Sequence, residues 1–286
     1  MKKSGKMLQY IMWLVLLAGT VVFVTPYLIM ITNSFISFNF SLPYPPKLFP
    51  DKIDFSAYRH IIYEMDILYS FKNSVIVTAL TTIFIIALST MSAYAFARIK
   101  FPGREIIFKI YLFTLKLPGF FSIIPQFIIL KNIRLPGLEN GLTGSFAGLI
   151  LLYLSTGICG NTFFMRSFFE SLPKEYEESV FVDGGSHMVV FSKIMFPLVK
   201  PAVGTMAIFT IQGIWEEYFT ARVVLMTNNK LMTMPLVLQR LNGEHSTRFE
   251  WVFAASILMQ IPIIVLFVIF QKKFVVGGLT AGSIKG

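Results

Sequence analysis

Charge is scarce in this sequence: 14% of its 286 residues are Asp, Glu, Lys or Arg, against roughly 25% in a soluble domain. Cysteine is almost absent. Cys159 stands alone inside an apolar run, which excludes an internal disulfide and any multi-cysteine metal site. The three histidines, His60, His187 and His245, are scattered and make no HxxxH ligand pair; His187 reads as a loop residue without chemistry. No Ser/His/Asp set, HExxH motif or pair of intramembrane aspartates argues for a membrane enzyme. No GxxxxGK[ST] loop is present to cradle a nucleotide phosphate. The net charge of +10 falls at the edges of apolar segments rather than on a soluble basic face, so nucleic acid is not an expected partner.

What is abundant is apolar side chain. Hydrophobic residues make up 55% of the chain, Phe alone numbers 30, and the mean hydropathy is +0.69. A hydrocarbon core of ~30 Å takes ~20 predominantly apolar helical residues, and six segments meet that length: 9–32, 72–97, 106–130, 144–165, 195–221 and 252–271. The expected class is an all-α integral membrane protein with six transmembrane helices. The first segment follows Lys2, Lys3 and Lys6 but is too long for a signal-peptide core and shows no clear cleavage site after Thr25-Pro26-Tyr27, so it is read as a retained helix. Basic clusters at 2–6, 98–109 and 272–273 fall on one side of a six-span topology, which predicts cytoplasmic N- and C-termini. The expected organisation is an N-terminal span (1–33), an extracytoplasmic loop (34–71), a five-helix core (72–272) and a tail (273–286). The loop holds Leu42-Pro43-Tyr44-Pro45-Pro46, where proline favours extended backbone. No strong internal repeat is visible.

The third segment contains Leu115-Lys116-Leu117-Pro118-Gly119 and Pro125-Gln126, which predicts a kinked or interrupted helix. Lys116, Gln126, Gln212, Glu216 and Glu217 are the polar groups expected at membrane depth, where such residues usually face a bundle interior or a water-filled path. Three readings of Lys116 stay open: a lysine satisfied by backbone carbonyls freed at Pro118, a partner for Glu216, or a cation lining a path for an acidic saccharide. Trp215 and Tyr218 read equally as an interfacial anchor and as a sugar-stacking platform.

The densest acidic cluster, Glu170 to Asp183, occupies the interior loop 173–197. Lys174 to Val182 holds good helix formers after Pro173, and Gly184 and Gly185 can take positive φ at a corner after Asp183. Two short helices outside the bilayer are predicted, the second running from Ser186 towards Phe196. Tyr176, Val180 and Phe181 fall near one face, while Glu175, Glu178 and Ser179 point elsewhere. By composition alone this is a solvated acidic loop, and a short amphipathic knob also suits docking into a groove on a soluble partner.

The order of these residues resembles the EAA signature of permease subunits of bacterial ABC importers: E-A-A, three residues, G, nine residues, I, one residue, L-P. Here Glu178-Ser179-Val180 stands for E-A-A, followed at that spacing by Gly184, Ile194 and Pro197, with Asp183 matching the Asp-Gly of the sugar branch. Both alanines and the leucine are replaced. Ala93-Tyr94-Ala95-Phe96-Ala97-Arg98, Pro118-Gly119, Gly213-Ile214-Trp215-Glu216-Glu217 and the tail from Gln271 to Gly286 resemble segments of the maltose-type, multiple-sugar branch.

The resemblance implies a type I ABC importer permease fold with a coupling helix between helices four and five. It implies no enzyme activity and no cofactor on this chain, with ATP-Mg held by partner ATPases. The implied partners are a second, homologous permease subunit, two cytoplasmic ATPase subunits, an extracellular solute-binding protein and a sugar or oligosaccharide, in the lipid of a bacterial cell membrane. Glu178, Ser179, Val180, Asp183, Gly184, Ile194 and Pro197 are then coupling residues. Gly282, Ser283, Ile284, Lys285 and Gly286 reach the ATPases, and Lys116, Gln126, Gln212, Trp215, Glu216 and Glu217 are candidates for the path. An ion-coupled carrier or channel is the alternative; unlike an ATP-driven importer, it would stop under an uncoupler with ATP intact.

Overall fold

The computed structural model describes residues 2–36, 48–50, 52–133, 141–244 and 248–282. The chain is helical, with no strand among the described residues. In order the helices are α1 (Lys2–Asn33), α2 (Ser56–Tyr63), α3 (Ile67–Arg98), α4 (Arg104–Thr114), α5 (Gly119–Asn132), α6 (Phe146–Ser171), α7 (Glu175–Val182), α8 (His187–Val189), α9 (Phe196–Trp215), α10 (Phe219–Leu225), α11 (Met234–Glu244) and α12 (Phe249–Gly282). Only helices satisfy every backbone group within the segment, which hydrocarbon demands of an open chain.

Five stretches are long and apolar enough to cross a bilayer: Lys6–Asn33, Ile67–Arg98, Phe146–Ser171, His187–Trp215 and Phe249–Phe270. The third expected segment is interrupted where Pro118-Gly119 predicts, as two half-helices, α4 and α5, bent by 106°. Pro118 causes the break, because it disfavours helical backbone at Leu117 and itself stands at φ −59°, ψ 128°. The preceding helix closes in tight turns, with Lys116 N–H and Leu117 N–H donating to Phe113 O and Thr114 O. With that pair counted as one span, the total is six.

The chain forms two compact units, Met1–Tyr69 with Val237–Ile261, and Ser70–Leu236 with Pro262–Gly286. In the first, α1 exposes apolar side chains along most of its length, among them Trp13, Leu17 and Phe23. In water such a surface would be an aggregation site; in lipid it is a solvated one. Ser34 and Tyr58 share a 2.8 Å hydrogen bond, and His60 stacks on Trp251 at 3.8 Å. The proline-rich stretch Leu42 to Pro46 lies outside the described residues.

In the second unit one core gathers Val77, Leu149, Leu152 and Tyr153 with Val224 and Leu225, and another gathers Tyr94, Met165, Phe169, Val190, Met195 and Met206. Helices α3 and α6 approach closely at Gly157, where a Cβ would come within 2.5 Å of Ile85 Cδ1; small residues serve this purpose in membrane bundles. At one end of this unit Asn73 Nδ2 donates to Lys230 O and Met232 O, and Met234 N–H donates to Ser74 Oγ.

The second short helix predicted in the 173–197 loop is not a separate element. From His187 the chain runs without interruption into α9 through a π-helical turn at Val190–Met195. The wider turn falls just before Pro197, whose missing N–H and bulky ring disrupt the α-helical ladder. The residues expected to form a second short helix are therefore the first turns of the long helix that continues to Trp215.

Candidate functional site

Helix α7 is eight residues long, too short to persist alone, and its two ends are fixed by different means. At its C-terminus Asp183 is the cap residue, Gly184 takes φ +77°, Gly184 N–H donates to Phe181 O at 3.0 Å and Gly185 N–H donates to Val180 O at 2.8 Å. This is a Schellman closure, in which glycine supplies the left-handed residue. Gly185, expected to share the positive φ, does not; a Cβ there would meet Val180 Cγ1 at 2.4 Å. The two glycines are thus needed for different reasons, one for conformation and the other for space.

The N-terminal anchor is a residue the sequence reading passed over. Glu177 is buried and stands 2.9 Å from Arg98, with side chains 9% and 5% exposed. The approach is an ion pair without an aligned hydrogen bond, since neither Arg98 Nε nor Glu177 Oε1 has a hydrogen-bond partner. Arg98 Nη2 also donates to Phe169 O at 2.6 Å and to Leu172 O, carbonyls at the C-terminal end of α6, the first of which also accepts the Leu172 cap N–H at 3.3 Å. One guanidinium therefore ties together the ends of α3 and α6 and the start of α7. Burial pushes the Glu177 carboxyl above its ordinary value, with the Arg98 charge opposing that shift. The available signal was Glu177 and Val180 three residues apart on one helical face.

That geometry sorts the expected coupling residues. Val180 packs against the second core, and Ile194 lies half-buried in the π-helical turn. Glu178, Ser179, Asp183 and Pro197 are exposed. Glu178 has no ion-pair partner among the described residues. Three and four residues on, Phe181 and Val182 expose apolar surface beside it, with Val182 86% accessible, and Tyr176 and Met188 are exposed as well. His187 does more than occupy a loop: it lies edge-on to Phe181 at 4.9 Å, and its Nδ1 is 3.4 Å from Tyr94 OH.

A second feature lies beside the α4–α5 bend, where a cavity of about 430 Å³ is lined by residues of α5, α6 and the start of α10. Gln126 and Glu217 line it; Lys116, Gln212, Trp215 and Glu216 do not. Glu217 accepts from Tyr153 OH at 2.7 Å and from the N–H groups of Thr220 and Ala221 at 2.7 and 3.1 Å, so it caps α10 from two residues before its first residue, Phe219. Trp215 is 4% exposed and packs edge-on against Phe71 at 5.6 Å. Lys116, Gln212 and Glu216 are exposed, and no Lys116–Glu216 ion pair forms. In the tail Gly282 closes α12, while Ser283, Ile284, Lys285 and Gly286 lie outside the described residues.

Comparison with known proteins gives this arrangement a family. The chain is 29% identical to the diacetylchitobiose uptake system permease protein of Streptomyces coelicolor, over 94% of this chain and 87% of the relative. It is 31% identical to the trehalose transport system permease protein of Mycobacterium tuberculosis, over 84% of this chain and 85% of the relative. A chain of a bacterial ABC transporter involved in the import of the acidic polysaccharide alginate shares its fold, with a TM-score of 0.79, 22% identity, and coverage of 95% and 98% of the two chains. Residues 85–275 match the model of the binding-protein-dependent transport system inner membrane component. That match takes in the α4–α5 bend, the Schellman-closed α7 and its Arg98 anchor, and the chain belongs to this family of multi-pass transport permeases.

Proposed function

We propose that this chain is one permease subunit of an ATP-driven importer for a sugar or oligosaccharide, in a bacterial plasma membrane with both termini cytoplasmic. Helix α7 is its coupling element. The single observation that carries this reading is the division of labour between adjacent glutamates: Glu177 is buried on Arg98, while Glu178 is exposed beside apolar surface. A helix fixed to its own core on one side and presenting a carboxylate and hydrophobic residues on the other is built to dock into a groove of a soluble partner. Cytoplasmic ATPase subunits holding ATP-Mg fit that partner, with a second, homologous permease subunit completing the membrane body. An extracellular binding protein delivers the substrate, and the tail from Gly282 to Gly286 reaches towards the ATPases.

In this reading the chain performs no chemistry itself. It converts partner movement into a change of access, and the Arg98 anchor passes motion of α7 to α3 and α6 together. The test is uptake by cells expressing the complete importer, in the presence of an uncoupler with ATP maintained. Uptake should persist, and Glu178→Lys should abolish it while the subunit still enters the membrane. Uptake that collapses with the proton gradient, or that ignores Glu178→Lys, would remove the proposal.

A further inference from the structure

The cavity beside the α4–α5 bend has a donor and acceptor inventory that fits one ligand chemistry. Its volume of about 430 Å³ lies in the ~300–1,000 Å³ range of small-molecule sites. The lining carries one formal charge, the Glu217 carboxylate, and no cation. A carboxylate offers about four lone-pair sites, and three are taken by Tyr153 OH and the N–H groups of Thr220 and Ala221. The one left open is on Oε1, which holds only the Thr220 bond.

Donors reach the same space from α5. Its N-terminus has no side-chain cap and brings Gly119 and Phe120 to the cavity wall, where first-turn N–H groups lack intrahelical partners. Gln126 adds an amide able to donate and accept. Ser122 spends its hydroxyl proton on Gly119 O, which leaves its oxygen as an acceptor. Phe120 and Phe219 supply aromatic surface. A ligand group that donates to a carboxylate and accepts from an amide N–H is a hydroxyl. A ligand carboxylate can only accept, and it would stand near Glu217 with no cation in the lining to offset the two like charges. Lys116, the residue that suggested an acidic sugar, is not part of this wall.

We propose that this cavity is a saccharide subsite of the translocation path, selective for uncharged, hydroxyl-bearing sugars over carboxylated ones; this rests on the importer reading above. The test is equilibrium binding of radiolabelled disaccharides to the complete purified importer in nanodiscs, without binding protein. The probes are trehalose and diacetylchitobiose as neutral sugars, and digalacturonate as the acidic one. At least one neutral probe should bind, with digalacturonate at least tenfold weaker. Gln126→Leu, which touches no described hydrogen bond of the fold, should weaken the neutral probe about tenfold with unchanged assembly on size-exclusion chromatography. Glu217→Gln should narrow the gap between neutral and acidic probes. Digalacturonate binding as tightly as the neutral sugars, or a neutral affinity unmoved by Gln126→Leu, would overturn the subsite. An importer that transports under ATP yet binds no probe also overturns it while sparing the importer reading; one that transports no saccharide under ATP removes both.

Discussion

Removing Arg98 should release α7 without unfolding the membrane bundle. In Arg98→Met the long apolar stem is kept and the guanidinium lost. Glu177 is then a carboxylate 9% exposed without its cation, Leu172 O loses its guanidinium donor, and Phe169 O keeps only the Leu172 N–H. Breaking a buried ion pair from one side costs about 3–5 kcal/mol, and the cheapest escape is for α7 to swing out and hydrate Glu177. At about 1.4 kcal/mol per decade, amide exchange in residues 177–185 should accelerate roughly a hundred- to a few-thousand-fold, whereas amides of α3 and α6 stay protected. Glu177→Gln should cost less, because Arg98 retains two carbonyl acceptors and loses only a misaligned ion pair. Arg98→Met combined with Glu177→Leu should recover most of the protection, since an apolar replacement of both partners is often neutral. The assay is hydrogen exchange by mass spectrometry on the purified complex, with ATP-dependent uptake measured alongside. Unchanged exchange in Arg98→Met, or a double variant no better protected than the single one, would refute the anchoring role.

The same carboxyl fixes a pH dependence. Its value is raised in the folded protein, so between the unfolded and folded values the folded state binds more protons, and this group's contribution to stability rises as pH falls; exchange of α7 amides, corrected for intrinsic rates, should slow on mild acidification and lose that trend in Glu177→Gln. Gly185→Ala should disturb α7 more than Gly184→Ala, because the first drives a Cβ to 2.4 Å from Val180 Cγ1 and the second meets open space and pays only for a left-handed alanine, about 1–2 kcal/mol; thermal unfolding of the complex ranks the two. Lys116→Met should assemble and take up a neutral saccharide near wild-type rates, since Lys116 neither lines the cavity nor pairs with Glu216; uptake reduced tenfold would return the lysine to the path.

Much of this was legible because the signals are local. A run such as 9–32 declares a span by length and hydropathy alone, and Pro118-Gly119 declares a break wherever it stands in a helix. Asp183-Gly184 likewise marked the end of α7. What stayed hidden depends on residues distant in the chain. Glu177 and Glu178 are chemically identical neighbours, and only the approach of Arg98 from another span makes one an anchor and leaves the other exposed. Glu217, read with Glu216 as a candidate for the path, is engaged by Tyr153 of α6, and no local pattern separates the two. Continuity from His187 into α9 was missed because proline and glycine spacing cannot show that a π-helical turn carries the ladder past Pro197.

The bend between α4 and α5 also bears on how such a chain is made and policed. Each half-helix, 11 and 14 residues long, is too short to span the hydrocarbon, and the ends that meet at Lys116 to Gly119 are exposed on this chain's own surface. Irregular backbone survives in a bilayer only where protein or trapped water covers it. An insertase cannot therefore release this span as a finished unit, as it can α1. In the importer reading proposed above, the segment reaches its stable form when the second permease subunit closes over it. Before that moment the bend is the part of the molecule that lipid tolerates least. On that reading, a subunit left without its partner would carry its own mark of incompleteness, at the place where a membrane protease or a holding chaperone would find an exposed break in a span.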